Sequence, residues 1–413
     1  MTSPFTLVLT GQSLIHHDVR QVNDSGFAEI KELIRQADIA FTNLETTIFG
    51  RHGGWPMKGD FFGCSAPVVL DALKDTGFNT IALANNHAFD LGPSGVLSTL
   101  EEVEARDFLH AGIGVDATHA RRAGTKMISE RRVALVAMDA GPGPANMYAA
   151  NASARRPARP GVNWLEVSRL FEIDPEIFAN LTSIQQTFLS STMERANYAQ
   201  PHDPVILKSA DEIDFYGTVF RRAAENRRRI VVDEANLNAH LATIRAAVAK
   251  GAFVIAYLHH HHWEPSWRAV PVWVQTFAHA CIDAGAGAFL SHGAPVLQPI
   301  EIYSGAPIFF GLGNFFFHLE EGEVVWRDPD VWKSVVATCR FSSDAQLKAI
   351  ELLPIVIGGE GFDERNYHER IVPIPAPRTL AMEMIEDLAV RSRPYGSYIV
   401  QKEGLGKITG GTN

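Results

Sequence analysis

Apolar residues in this chain gather into short runs that end abruptly in polar groups. Phe5-Thr-Leu-Val-Leu9 stops at Thr10-Gly11-Gln12-Ser13, and Asp38-Ile-Ala-Phe41 runs into Thr42-Asn43-Leu44-Glu45. Thr80 to Ala84 ends in Asn85, Asn86, His87 and Asp90, and Arg132 to Met138 is capped by Asp139. Ala252 to Leu258 gives way to His259-His260-His261-His262-Trp263-Glu264, and Ala286 to Leu290 to Ser291-His292-Gly293-Ala294-Pro295. Runs of this length predict buried strands. Between them, apolar positions fall at helical spacing: Phe27, Ile30, Leu33 and Ile34; Val68 to Lys74; Val96, Leu97, Leu100 and Val103; Leu237, Leu241, Ile244 and Val248; Val272 to Ala284. Ser94 and Asn236 are the predicted N-caps of two of these helices. The alternation predicts an α/β fold with at least a partly parallel sheet.

The pattern changes at residues 141–161, where Gly, Pro, Ala, Ser and Arg predict a surface loop. From Val162 to Arg229 the spacing reads as helical with interruptions, so 141–230 is expected to be a loop plus helical insertion. Arg227-Arg-Arg229 reads as its solvated helix end. Gln298 to Tyr303 and Ile308 to Gly311 predict paired strands about Gly305. Residues 330–413 complete the fold with strands at Ser334 to Phe341 and Lys348 to Ile357, a helix around Thr379 to Leu388 and a last strand near Tyr398 to Gln401. The expectation is a single domain over 1–413.

Composition narrows the function. The 413 residues are 46% hydrophobic and 20% charged, which is globular, with a net charge of −10 that argues against sequence-independent nucleic-acid binding. The three cysteines, Cys64, Cys281 and Cys339, form no pairing pattern, which predicts a reducing, cytoplasmic setting. No run is long enough for a membrane helix, and Phe5 to Leu9 is too short for the apolar core of a signal peptide. No membrane partner is expected.

The chemistry sits at the strand ends. Gln12, Glu45, Asn86, His87, Asp90, His259 and His292 can meet where strand ends converge on one edge. A carboxylate, an amide oxygen and two imidazoles suit a divalent Zn, Mn or Fe ion. In the four-histidine run, extended backbone places His259 and His261 on one side and His260 and His262 on the other.

With those residues in place, the chain resembles the CapA-type family, named for capsule and poly-γ-glutamate synthesis. The resemblance rests on Asn43-Leu-Glu45, Asn85-Asn-His-Ala-Phe-Asp90, the strand ending at His259, Ser291-His-Gly-Ala-Pro295 with Val296-Leu-Gln298, and Gly311-Leu-Gly-Asn-Phe315. It implies the calcineurin-like metallophosphoesterase fold: a two-sheet β-sandwich core flanked by helices. It also implies that Glu45, Asn86, His259 and His292 hold metal, and that His87, oriented by Asp90, gives a proton to the leaving group. Two departures stand out. Where the family has Gly-Asp this chain has Gly11-Gln12, and where its last motif ends in histidine this chain has Pro295. Both private ligands of one of the two metals are therefore missing, which implies a single divalent ion.

One ion suits metal-activated water attacking an amide, lactam or ester of a small carboxylate-bearing or γ-glutamyl-type substrate. Arg51, Trp55 and Lys58 on a Gly-rich loop are candidate contacts for such a small or short oligomeric anionic substrate. Two alternatives stay open. One is a phosphoesterase whose second site is rebuilt from Gln12, His16 or His17; His260, His261, Trp263 and Glu264 are candidates to support the ligands or contact substrate in either case. The other is a non-catalytic binding protein of capsule or poly-γ-glutamate assembly.

Overall fold

Strand Phe5–Leu14 extends past its apolar residues because its polar tip is paired on both sides. Gln12 lies opposite Asn43 of strand Ile39–Leu44 and opposite Asn314 of strand Asn314–Phe317, both parallel to it. The computed structural model describes residues 3–59, 62–188, 209–215, 218–318, 328–357 and 371–409. The chain divides into two units: Met1–Trp164 with Asn238–Asn413, and Leu165–Leu237.

Among the described residues, the larger unit contains two main sheets and two small two-stranded ones. The ten-stranded sheet runs in the order Val400–Lys402, Leu405–Thr409, Leu347–Ile357, Lys333–Phe341, Phe5–Leu14, Ile39–Leu44, Thr80–Ala82, Leu109–Ala111, with Asn314–Phe317 and Pro373–Pro375 paired off that path. The six-stranded sheet runs Ile300–Tyr303, Ala306–Phe309, Ala288–His292, Phe253–His259, Arg131–Asp139, Gly124–Ile128. In both, the strands expected from the apolar runs pair in parallel, so their C-terminal ends lie together. One core joins the sheets: Phe41 packs on Tyr257 with ring centroids 5.5 Å apart, and Phe5 on Phe253 at 5.0 Å. At about 1.5–3 kcal/mol for each large side chain buried, such contacts help hold the two sheets together. The arrangement is the α/β two-sheet sandwich with flanking helices.

Several local expectations are corrected. The helix after the Asn-Asn-His turn is Gly92–Ala105, and Ser94 lies inside it; Gly92 at φ +68° turns the chain and Pro93 starts the helix, with no side-chain cap. Helix Glu234–Ala249 is capped by Asp233, whose Oδ1 accepts from Asn236 N–H at 2.8 Å. Asn236 Oδ1 instead accepts from Glu166 N–H at 3.0 Å. Among the described residues, the smaller unit carries one helix, Pro175–Phe188, and a four-stranded sheet ordered Glu212–Phe215, Thr218–Arg222, Val167–Ile173, Arg227–Val232. Part of the stretch read as helical, 189–208, lies outside the described residues. Arg227 to Arg229 are a strand, not a helix end, because Glu172 on the neighbouring strand pairs with both Arg227 and Arg229. Pairing across strands, which no local pattern encodes, overrode the spacing.

Candidate metal centre

His259 ends its strand directly between two others. It stands opposite Asp139 on one side and His292 on the other. Residues in register share a face of the sheet, and Tyr257, two residues earlier, packs on Phe41, so this row faces the other sheet. From that sheet comes Glu45, held just past strand Ile39–Leu44 by its N–H to Ser13 O at 3.0 Å. Glu45, His259 and His261 bring ligand atoms within 4.8 Å of one another. His259 Nε2 is 3.7 Å from Glu45 Oε1 and 3.1 Å from His261 Nε2.

The histidine tract is clamped from both flanks. His260 N–H donates to His292 O at 3.0 Å, His261 N–H to Gly141 O at 2.7 Å, and Ala140 N–H to His259 O at 2.9 Å. The side chains alternate as extended backbone requires. His259 and His261 share the centre, whereas His260 and His262 both meet the edge of Trp273, and His262 Nε2 donates to Ala140 O at 3.1 Å.

Sheltered atoms with no hydrogen-bond partner include Glu45 Oε2 and both ring nitrogens of His292, which stands in register with His259, and Asn86 Oδ1, next to His87 in the chain. Open buried acceptors are costly, and a cation satisfies them. Burial raises the Glu45 pKa to about 8, with Lys58 opposing and Asp90 and Asp139 reinforcing the rise. Burial lowers His261 and His292 to about 3, so both imidazoles are neutral, the form that ligates metal. Carboxylate, imidazole and amide donors of this kind fit a divalent metal ion.

Beside the cluster lies a second pair. His87 Nδ1 is 2.8 Å from Asp90 Oδ2, which also accepts from Gly63 N–H at 2.7 Å. Lys58 Nζ is 3.1 Å from Asp90 Oδ1 and donates to Asn86 O at 3.2 Å. Burial lowers the His87 pKa while Asp90 pulls it up. Asn85 fixes the turn: its Nδ2 donates to Leu44 O at 2.7 Å and to Asn43 Oδ1 at 3.1 Å, and its Oδ1 accepts from His87 N–H at 3.0 Å.

The remaining sequence candidates differ in burial and partners. Gln12 Oε1 accepts from Gly293 N–H at 3.2 Å, a bond between the sheets rather than an open ligand. His17 is exposed and stacks on His318 at 5.0 Å. His16 is partly buried, with both ring nitrogens unpartnered, and burial, with His17 and His87 nearby, lowers its pKa to about 4. Glu264 is partly buried. Arg51 is exposed and pairs with Glu101 at 2.5 Å, and Trp55 is 81% exposed.

Two residues near the site escaped the sequence reading. Asp139 entered it only as a strand cap, although its place after a buried apolar run was the signal used for the others. Gly63 carried no signal: a Cβ there would meet His87 Nδ1 at 2.6 Å.

Comparisons with known proteins bear on this arrangement. The chain is 29% identical to "Uncharacterized protein y4sH" of Sinorhizobium fredii, covering 98% of this chain and 93% of that one. It is 24% identical to "PGA biosynthesis protein CapA" of Bacillus subtilis over 74% of this chain and 59% of that one. A crystal structure of a 5'-nucleotidase precursor from Thermus thermophilus aligns at 10% identity with a TM-score of 0.37, covering 94% of this chain and 59% of that one. Residues 6–319 match the model of the family described as bacterial capsule synthesis protein PGA_cap, and the chain belongs to that family.

Proposed function

We propose that this protein is a metal-dependent hydrolase that cleaves an amide, lactam or ester bond in a small carboxylate-bearing or γ-glutamyl-type substrate. The observation that carries the proposal is the meeting of Glu45, His259 and His261 beside the His87–Asp90 pair. Glu45, His259 and His261, with Asn86 and His292 alongside, are the residues to hold one divalent ion. When bound, such an ion polarises a carbonyl oxygen and acidifies water toward neutral pH.

The chain's own groups supply the rest. Asp90 accepts from His87 Nδ1, which fixes the ring and leaves Nε2 to carry a proton to the leaving nitrogen or oxygen. The carboxylate also stabilises the imidazolium while it holds that proton. Lys58 balances the charge of Asp90 and ties the dyad to the Asn86 peptide. Burial keeps bulk water from competing for these groups. Gln12 bonded to Gly293, and Pro295 in place of histidine, leave the position of a second ion without its usual ligands, which favours carbonyl chemistry over a two-ion phosphoryl displacement. The Bacillus subtilis relative is named for PGA biosynthesis, and with the resemblance to poly-γ-glutamate synthesis proteins this makes γ-glutamyl amides the first substrates to try.

The test is elemental analysis of the purified chain together with turnover of γ-glutamyl amides, cyclic amides and aryl phosphates. One ion per chain, with amide or lactam turnover abolished by a chelator and restored by metal, is expected. Two tightly bound ions with aryl phosphate turnover alone, or no metal and no turnover, would refute the proposal.

A further inference from the structure

Asp139 has a setting that its strand position alone does not account for. Its carboxylate is sealed from solvent at the end of strand Arg131–Asp139. Oδ2 accepts from Gly141 N–H at 3.0 Å and from the Tyr148 hydroxyl at 3.2 Å. Oδ1 has no hydrogen-bond partner. An open oxygen on a buried carboxylate is unfavourable unless something binds it.

The group is also held in one orientation. Tyr148 stacks on Trp164 with ring centroids 4.5 Å apart at 12°. Asp139 N–H donates to Asn163 O at 2.9 Å, and Asn163 Nδ2 donates back to Ala137 O at 2.7 Å. Asp139 stands in register with His259, on the face that carries His292, and its charge acts on Glu45 across the gap between the sheets.

We infer that Asp139 is an anionic residue of the metal centre that stands outside the 4.8 Å group of Glu45, His259 and His261 and strengthens its hold on the divalent cation, while Tyr148 keeps its carboxylate aimed. The inference rests on the one-ion reading above. It also explains why a carboxylate is kept where an apolar residue would fill the strand end without an open oxygen.

Asp139→Asn tests it, because the amide keeps the shape and one oxygen for Tyr148 and Gly141 but removes the charge. Zn²⁺ is titrated into the chelator-stripped full chain against a competing fluorescent chelator. Wild type takes up one ion, Asp139→Asn binds it about 10–100-fold more weakly, and Tyr148→Phe shifts affinity by about 2–10-fold. Equal affinity in wild type and Asp139→Asn overturns the inference and leaves the one-ion reading standing; a wild-type chain that binds no Zn²⁺ overturns both. Melting with and without Zn²⁺ separates a scaffold role. Metal-free Asp139→Asn is expected to melt no lower than wild type and to gain less from Zn²⁺, whereas an equal drop in both states overturns the inference. If Asp139→Asn does not fold, unchanged Zn²⁺ affinity in Tyr148→Phe overturns it.

Discussion

Replacing Gly63 with alanine tests how closely the proton-transfer pair is built. The added Cβ would lie 2.6 Å from His87 Nδ1, 2.9 Å from Cγ and 3.0 Å from Cβ. Ordinary contact begins at 3.4 Å, so the ring must retreat by about 0.8 Å (3.4 less 2.6) or the backbone must give. The backbone is pinned on both sides: Gly63 N–H donates to Asp90 Oδ2 at 2.7 Å, and Gly63 O accepts from Thr47 N–H at 3.0 Å. The ring is the part that yields, which stretches its 2.8 Å bond to Asp90. Overpacking of this kind costs about 1–3 kcal/mol of stability. A misplacement near 1 Å lowers turnover roughly 10²-fold, or about 2.7 kcal/mol in the barrier. The assay is a double-mutant cycle of Gly63→Ala and His87→Ala, read by urea unfolding and by turnover of the γ-glutamyl amide or cyclic amide that the panel yields. In the His87→Ala background, of these three contacts only the 3.0 Å one with Cβ remains, so most of the penalty should vanish. Turnover of Gly63→Ala within twofold of wild type, with additive effects in the cycle, would show that the ring is not held as described.

Glu45→Gln removes the carboxylate of the ligand cluster, and metal content after dialysis is expected to fall well below one ion per chain; full occupancy would remove Glu45 from the ligand set. His87→Ala is expected to lower kcat by about 10²–10⁴-fold with metal content unchanged, and an active variant would eliminate the proton-transfer role. Acid should destabilise the fold through His240, which donates from Nε2 to Trp164 O at 2.9 Å and whose pKa burial lowers from 6.5 to about 4. The unfolded chain takes up that proton first, so the native state is unpenalised above about pH 6.5 and loses up to about 1.4 kcal/mol per pH unit as pH falls toward 4. Denaturant melts across that range should give a shallower slope for His240→Gln, and identical slopes would contradict the assignment. Arg51→Ala breaks only an exposed pair with Glu101 and should leave stability within about 0.5 kcal/mol, whereas Lys58→Ala, which strips the charge partner of Asp90, should reduce turnover more; the reverse order would move the substrate contact to Arg51.

The sequence by itself determined which segments become buried strands and where each one stops. A short apolar run cannot remain in water, and the polar residue after it marks where burial ends, so Glu45, His87, His259 and His292 could all be placed at strand tips. The period of two along an extended chain likewise separated His259 and His261 from His260 and His262. Tertiary structure decided the contacts between segments far apart in the chain. It joined Glu45 and His261 across two sheets, set Asp139 level with His259, gave Gln12 to Gly293 and left no room for a side chain at Gly63. It also turned Arg227 to Arg229 from an expected helix end into a strand paired through Glu172. The physical reason is one of range. Burial and periodicity act over a few neighbouring residues, whereas register, sheet order and ångström-scale clearance are fixed only when strands from distant parts of the chain pack together.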